Sequence, residues 1–136
     1  MTRLFAALAF GFVAGLSHAQ EMSPGLWEIS TTMRMQGMEM PPQAFKHCYT
    51  AKDLADGRQY KGDDQSKCAI TNMKSGGGNV SYDMACATDG GKMTGSVKGT
   101  MSATQYAFDQ KIRMTPDQGM GEMHSTIKGR RLGDCK

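Results

Sequence analysis

The sequence predicts an all-β protein with one short helix: a curved antiparallel meander sheet, partly barrel-like, held by two disulfide bonds. Apolar and polar residues alternate along six main segments separated by glycine-rich or polar turns, which is typical of half-buried strands in sequential hairpins. The strand–helix–strand spacing of a parallel sheet does not occur. Four cysteines in a chain of 136 residues indicate the disulfide bonds.

Residues 1–19 have the organisation of a secretory signal peptide. A positive start at Arg3 precedes an apolar run over residues 4–16 that is too short to span a bilayer, and Ser17-His18-Ala19 resembles a small-residue cleavage site. Cleavage after Ala19 leaves residues 20–136 as one disulfide-bonded β-domain, which predicts a periplasmic protein. We expect no lipid anchor, because no cysteine lies at the junction, and no later stretch is apolar enough for a membrane span.

The charges of residues 20–136 are scattered along the chain. Removal of Arg3 lowers the formal net charge from +3 to +2, and Arg130-Arg131 is the only basic doublet. A nucleic-acid interface or a face for an anionic membrane would need a basic patch. The sequence therefore argues against both, and it leaves an unidentified small ligand or an envelope protein as the expected partner.

The first predicted strand runs from Gly25 to Met35. Its two faces alternate, with Trp27, Ile29, Thr31, Met33 and Met35 on one side and Glu28, Ser30, Thr32 and Arg34 on the other. A loop over residues 36–42 follows and is closed by Pro41-Pro42. A short extended piece over residues 45–49 then carries Cys48, the first cysteine of the sequence, near its end. Trp27 is interpreted as the core anchor of this strand rather than a ligand platform.

One short helix is predicted after this extended piece. Thr50 and Asp53 have the spacing of a capping box, which predicts a helix from Ala51 to about Ala55 that is stopped by Gly57. Residues 57–65 are polar, and we expect them to form a loop. Asp53 and the Asp63-Asp64 pair could serve as acids, but exposed loop positions are the more common role of such residues.

The segment from Lys67 to Cys86 predicts a hairpin around Gly76-Gly77-Gly78. These glycines lack the lysine and helix of a phosphate-binding loop, so they are interpreted as a turn. Folding about Gly77 gives four pairs: Lys74–Val80, Asn72–Tyr82, Ile70–Met84 and Cys68–Cys86. This register predicts the Cys68–Cys86 bond, and Cys48–Cys135 follows by elimination from three possible connectivities. The cysteine spacings contain no Cys-x-x-Cys pair, which argues against a zinc or thioredoxin-like site.

Three further strands complete the sheet. The segments over residues 92–101 and 106–114 form a hairpin, and the last strand covers residues 122–128, with Met123, Ser125 and Ile127 inward. The hairpin register gives the pairs Met101–Tyr106, Gly99–Phe108, Val97–Gln110, Gly95–Ile112 and Met93–Met114. Each glycine in this register faces a large side chain that can lie across it, which is how a bent sheet covers its glycines.

These landmarks resemble a known bacterial family. Pro24-Gly25-Leu26-Trp27-Glu28-Ile29 opens the segment, His47-Cys48-Tyr49-Thr50 follows a Met-rich loop, and Leu132-Gly133-Asp134-Cys135 closes it. Together with Cys68 and Cys86 they are similar to the exported family called domain of unknown function thirty-six-seventeen, over almost the whole of residues 20–136. The resemblance implies a small exported protein, and it implies no activity, substrate or catalytic residue.

Methionine is the unusual residue of this chain. Residues 20–136 hold 12 methionines against 9 Leu, Ile and Val together. Met33, Met35, Met38 and Met40 form one cluster, and Met120 with Met123-His124 forms a second. Thioether sulfur is a soft ligand that suits Cu(I), so Met38, Met40, Met120, Met123 and His124 are the candidate metal ligands. The competing interpretation is that strand methionines fill the core and loop methionines form an adaptable contact surface.

The sequence contains no recognisable catalytic constellation. It has no Gly-x-Ser-x-Gly or His-Glu-x-x-His motif, and the disulfides occupy the cysteines. His47 and His124 are more typical of satisfied surface side chains. We therefore expect a protein that is not an enzyme and needs no cofactor, and that binds a small apolar ligand or a protein partner through its curved sheet. The alternative is a methionine-rich Cu(I) or Ag(I) protein, and a hydrolase is the third hypothesis.

Overall fold

The computed structural model describes residues 21–61 and 67–136. The predicted signal peptide and the Asp63-Asp64 pair lie outside these described residues. Eight strands and two short helices occur in the described ranges: β1 (Gly25–Met35), β2 (Met38–Glu39), β3 (Gln43–Tyr49), α1 (Ala51–Ala55), α2 (Arg58–Lys61), β4 (Cys68–Gly76), β5 (Asn79–Thr88), β6 (Gly91–Met101), β7 (Gln105–Thr115) and β8 (Met123–Gly133). Neither helix is long and apolar enough to cross a membrane.

The strands form an open, curled antiparallel sheet, which confirms the predicted fold class. The strand order is β2-β1-β8-β7-β6-β5-β4. Strand β3 also pairs with β1, from Gly25 to Thr31, whereas β2 pairs with Arg34 and Met35. Strands β4 to β8 are the expected meander, in which each strand pairs with the next along the chain. The first strand then pairs with the last one, from Leu26 opposite Gly133 to Arg34 opposite His124.

Several local predictions are confirmed where short-range chemistry decides the structure. Strand β1 has the predicted bounds, and α1 begins after Thr50 as its capping box requires. The Thr50 hydroxyl accepts a hydrogen bond from the Asp53 amide at 3.1 Å, and the Asp53 carboxylate accepts one from the Thr50 amide at 2.9 Å. The hydrogen bonds that the Thr50 amide and hydroxyl donate to the Asp53 carboxylate hold the pKa of this carboxyl below its usual value.

The structure corrects other boundaries. The segment predicted as a loop over residues 57–65 begins with helix α2, whose Tyr60 packs against the core. Strand β8 continues five residues past the predicted end at Lys128, because β1 supplies hydrogen-bonding partners as far as Gly133. Strand β3 starts at Gln43 rather than Phe45, and a two-residue strand, β2, interrupts the predicted loop before it. In each case tertiary contacts outweigh local propensity.

The central hairpin has the predicted register only at its open end. Cys68 lies opposite Cys86 and Ile70 lies opposite Met84, as expected. A bulge between Thr71 and Lys74 then shifts the pairing by one residue, so the predicted pairs Lys74–Val80 and Asn72–Tyr82 are wrong. Lys74 lies opposite Ser81 instead, and the two-residue turn at Gly77 and Gly78 uses positive φ angles of 59° and 82°.

The β6–β7 hairpin has all five predicted pairs. At Gly99 the ring of Phe108 lies across the backbone, and an added Cβ would come within 2.8 Å of its Cδ1 atom. At Gly95 an added Cβ would come within 2.8 Å of the Lys111 carbonyl oxygen. These approaches are possible only because glycine has no side chain, and they let the sheet bend at this point.

The core lies on one face of the sheet, near the end covered by the helices. Trp27 is fully buried, and its ring stacks on Tyr106 at a centroid distance of 5.6 Å. Tyr106 stacks in turn on Phe108, and burial raises the pKa of both Tyr106 and Tyr82 far above the usual value. Other buried members of the core are Met22, Ile29, Tyr49, Val80, Val97 and Met101.

Two disulfide bonds connect the sheet as predicted. Cys48–Cys135 joins the end of β3 to the segment after β8, across 87 positions of sequence. Cys68–Cys86 links directly opposite residues of β4 and β5 across 18 positions. All four cysteines are therefore bonded, and none remains as a thiol nucleophile or a metal ligand.

Candidate functional site

The face of the sheet opposite the core carries a groove of about 800 Å³. Residues from strands near opposite edges of the sheet line this groove. They include Thr32 and Arg34 on β1 and Asn72 and Lys74 on β4. Strands β1 and β4 are separated by four other strands, so they share one groove only because the sheet curls around it. We call this cavity the polar groove.

The polar groove is built from two rows of side chains that cross the sheet. Strand alternation explains both rows, since every member is adjacent in sequence to a residue on the core face. The first row contains Lys74, Ser81, Lys98, Asp109 and Thr126, each directly opposite the next on successive strands. The second row contains Asp83, Ser96, Lys111, His124 and Arg34 in the same manner.

The carboxylates of the polar groove already have partners within the protein. Asp83 accepts a hydrogen bond from the Asn72 side chain at 2.8 Å, and Asp109 accepts one from the Thr126 hydroxyl at 2.9 Å. Glu39 forms an ion pair with Arg34 at 3.0 Å. These interactions hold the three carboxylates against neighbouring strands.

The lysines of the polar groove differ from its carboxylates in their partners. In the described part of the chain, none of the ion pairs includes Lys74 or Lys98. Both lysines are exposed, and Ser81 lies between them in the row. Lys111 adds a third ammonium group in the adjacent row. The three lysines and Arg34 outnumber the three carboxylates of the lining, so the net charge of the groove is positive.

His124 faces the polar groove rather than the methionines. It lies opposite Arg34 on β1 and Lys111 on β7, and its Nε2 atom is 3.0 Å from Glu122. The hydrogen bond from Arg113 lowers the pKa of Glu122. The imidazole is thus held in a polar network on the face away from the core.

Met38 and Met123 lie on the other face, because Met38 is directly opposite Met35 and Met123 alternates with His124 along β8. Met123 is buried at 7% exposure, whereas Met38 and Met40 are exposed at 68% and 42%. The Gln36 side chain donates a hydrogen bond to the carbonyl of Gly119, so the turn before Met38 contacts the turn that carries Met120. The structure therefore brings the two methionine segments to one end of the sheet but separates His124 from Met38, Met40 and Met123.

Ligand sets for harder metals are absent from the described residues. In residues 21–61 and 67–136, no three His, Cys, Asp or Glu side chains come together in a group that could hold a metal ion.

The remaining sequence candidates have structural roles. His47 packs edge-on against the ring of Tyr49, with 4.5 Å between the ring centroids, and Asp53 caps α1. Gly77 and Gly78 form the β4–β5 turn, and Trp27 fills the core. None of these residues lines the polar groove.

The polar groove was not predicted from the sequence. The available signal was the set of positions between core residues, where Lys74, Lys98 and Lys111 alternate with acidic and hydroxyl side chains. Such positions look like an ordinary solvated face until the strand order is known. The β1–β8 pairing and the curl of the sheet convert them into one cavity.

Comparisons with known proteins show the family of this chain. An uncharacterized protein in the lpd-3 5′ region of Pseudomonas putida is 48% identical over 40 residues, which cover 29% of this chain and 28% of that protein. The match therefore spans little more than a quarter of that relative. No solved structure matches significantly. The model of the family described as protein of unknown function (DUF3617) matches residues 22–135, and the chain therefore belongs to DUF3617.

Proposed function

We propose that this chain is an exported, non-enzymatic binding domain that holds a small anionic ligand in the polar groove. The observation that carries this proposal is the unequal pairing of charges there. The three carboxylates of the groove accept hydrogen bonds or ion pairs from the protein, while Lys74 and Lys98 form no ion pair in the described part of the chain. An anion would supply the missing partner of these lysines.

The chemistry of the groove favours a polar ligand over the apolar one that the sequence suggested. Its walls present ammonium groups together with the hydroxyls of Ser81 and Ser96. A carboxylate or phosphate group accepts hydrogen bonds from both kinds of donor, and charge-assisted hydrogen bonds are the stronger ones. An apolar molecule would have to remove water from these groups without replacing their hydrogen bonds, at a cost in free energy.

Binding can be tested with two compact anions, citrate and tripolyphosphate, and with maltose as an uncharged control. We expect saturable amide shifts in the NMR spectrum around Ser81 and Ser96 with the anions and none with maltose. Replacing Lys74 and Lys98 by alanine should weaken anion binding by about tenfold or more, which corresponds to roughly 1.4 kcal/mol.

The matched control is the double replacement of Lys46 and Lys92 by alanine. Both lysines are exposed and lie outside the polar groove, and the variant has the same net charge as the groove variant. Equal weakening by the two variants would show that the anions respond only to net charge. That result, or shifts without saturation, would refute the proposal.

Export can be tested separately, by expressing the full chain in a bacterial host and separating periplasm from cytoplasm. We expect a periplasmic protein with the mass of residues 20–136 and both disulfide bonds. Replacing Leu8 and Phe10 by glutamate should retain the uncleaved chain in the cytoplasm, because charges disrupt the apolar run. Replacing Thr2 by alanine should leave export unchanged. Uncleaved wild-type protein confined to the cytoplasm would contradict the proposal.

A second candidate function is the binding of Cu(I) or Ag(I). The observation that favours it is the contact between Gln36 and Gly119, which puts the two methionine segments at one end of the sheet. Thioether ligands select soft cations such as Cu(I), and an exported protein can meet them outside the cytoplasm. The imidazole of His124 is on the wrong face to complete this set with Met38 and Met40.

A further inference from the structure

We infer that the Cu(I) ligands are the four thioethers of Met33, Met35, Met38 and Met40, an inference that rests on the second candidate function. We call this group the methionine hairpin. It differs from the set that the sequence suggested, since it replaces His124, Met120 and Met123 by two residues of β1. The register of the β1–β2 hairpin determines which methionines belong to this group.

The register puts all four side chains on one face. Met35 lies directly opposite Met38, and the Met40 amide donates a hydrogen bond to the carbonyl of Met33 at 2.8 Å, which continues the same pairing. Residues two apart on a strand share a face, and directly opposite residues share it too. Arg34 and Glu39, which lie between these pairs, are therefore on the other face, where they form their ion pair.

The spacing suits a single ion. Directly opposite residues of an antiparallel pair have Cβ atoms about 4.5–5.5 Å apart, and a methionine sulfur is two bonds beyond its Cβ. The unbranched side chain has three rotatable bonds, so the sulfurs can turn toward a common point between the strands. The turn at Gln36 and Gly37 has φ angles of 50° and 78°, which is the tight geometry that holds two strands in this register.

Burial accounts for three methionines outside this group but not for Met38 and Met40 within it. Met22, Met101 and Met123 are buried, with 5%, 6% and 7% exposure, and they fill the core. Met38 and Met40 are exposed at 68% and 42%, so they gain little from burial. Their exposure leaves the thioethers accessible to an arriving ion.

A site of thioethers alone has a distinctive pH dependence. Thioether sulfur carries no proton, so Cu(I) binding would release none, whereas an imidazole ligand must be neutral to bind. On β8, Ser125 lies opposite Met33 and does not titrate. The turn that contacts Gln36 carries Asp117, whose carboxylate accepts hydrogen bonds from the amides of Gly119 and Gly121. Arg34, Glu39 and His124 belong to the opposite face. Affinity should therefore be the same at pH 7 and pH 5.

The experiment is an anaerobic titration of the oxidised protein with Cu(I), in competition with a Cu(I)-selective chelating dye. Mass spectrometry first establishes that both disulfides are intact, so that free thiols do not bind the ion. We expect one equivalent of Cu(I) to bind with equal affinity at pH 7 and pH 5. Replacing Met38 and Met40 by leucine should weaken binding at least tenfold, and the fold should persist because both residues are exposed.

Two variants serve as controls. Met93 and Met114 are also directly opposite each other on neighbouring strands. Their replacement by leucine removes an equal number of thioether sulfurs from another part of the sheet. Neither this variant nor His124→Ala should change Cu(I) affinity. Circular dichroism of each variant checks the fold independently.

The outcomes separate the inference from the function on which it rests. If the wild-type protein takes no Cu(I) from the dye, the second candidate function is wrong. If it binds Cu(I) but loses affinity at pH 5 or on His124→Ala, copper binding stands and the methionine hairpin is not the ligand set. If the variant with leucine at positions 38 and 40 keeps full Cu(I) affinity, the methionine hairpin is likewise not the ligand set.

Discussion

Replacing Cys48 and Cys135 by serine is expected to lower the free energy of unfolding by about 4–5 kcal/mol. This bond closes a loop across 87 positions of sequence, and in the chain-entropy model a longer loop restricts the unfolded chain more strongly. Domains of this size have a total stability of roughly 5–15 kcal/mol, so the variant would lose much of its stability. Urea denaturation followed by circular dichroism measures the difference.

The second disulfide gives the matched comparison. Cys68–Cys86 spans 18 positions, and its replacement by serines should cost about 3 kcal/mol on the same scale. The order of the two effects is the informative result. A Cys68/Cys86 variant that is less stable than the Cys48/Cys135 variant would show that local packing around Cys86, which is buried, outweighs the loop-length effect.

Replacing Trp27 by alanine is expected to destabilise the protein by about 3–5 kcal/mol, as is usual when a large aromatic residue leaves a core. The indole is fully buried, stacks on Tyr106 and donates a hydrogen bond to the carbonyl of Ser23 at 3.1 Å. Its loss would leave a cavity and an unpaired carbonyl. Because Trp27 is the only tryptophan, unfolding must be followed by far-ultraviolet circular dichroism rather than by tryptophan fluorescence.

Phe45 is the control for this substitution. It is a large aromatic residue directly opposite Ile29 on β3, but it is 54% exposed. Replacing it by alanine should change stability by about 0.5 kcal/mol or less, since surface substitutions have small effects. Similar losses for the two variants would contradict the assignment of Trp27 as the anchor of the core.

The parts of the fold that the sequence predicts correctly are those set by short-range patterns. The capping box of Thr50 and Asp53 defines α1, and glycines opposite large residues define the β6–β7 register. Both signals lie within one element or one hairpin. The bulge in β4 carries no comparable signal, because Asn72 at φ 54° looks like any other polar strand residue in the sequence.

The candidate sites were less predictable because they depend on strand pairing that alternation along one segment does not show. The methionines were recognisable by composition, but their faces follow from a tight turn that pairs Met35, the end of the predicted strand, with Met38, in a segment predicted as a loop. The polar groove needs β1 beside β8, and no local pattern states which strands are neighbours across the whole chain. Alternation places a side chain on a face, and only the topology shows what shares that face.

The pairing of the first strand with the last has a consequence for the order of assembly. As the chain emerges, β1 can pair at once with β2 and β3, which follow it directly. Its other edge must wait for β8, about a hundred residues later, and such distant pairing is entropically slow. The meander from β4 to β7 can form in the meantime without β1. Strand β8 therefore joins the β1–β3 part of the sheet to the β4–β7 meander. Neither the polar groove nor the complete core can form before β8 pairs with both.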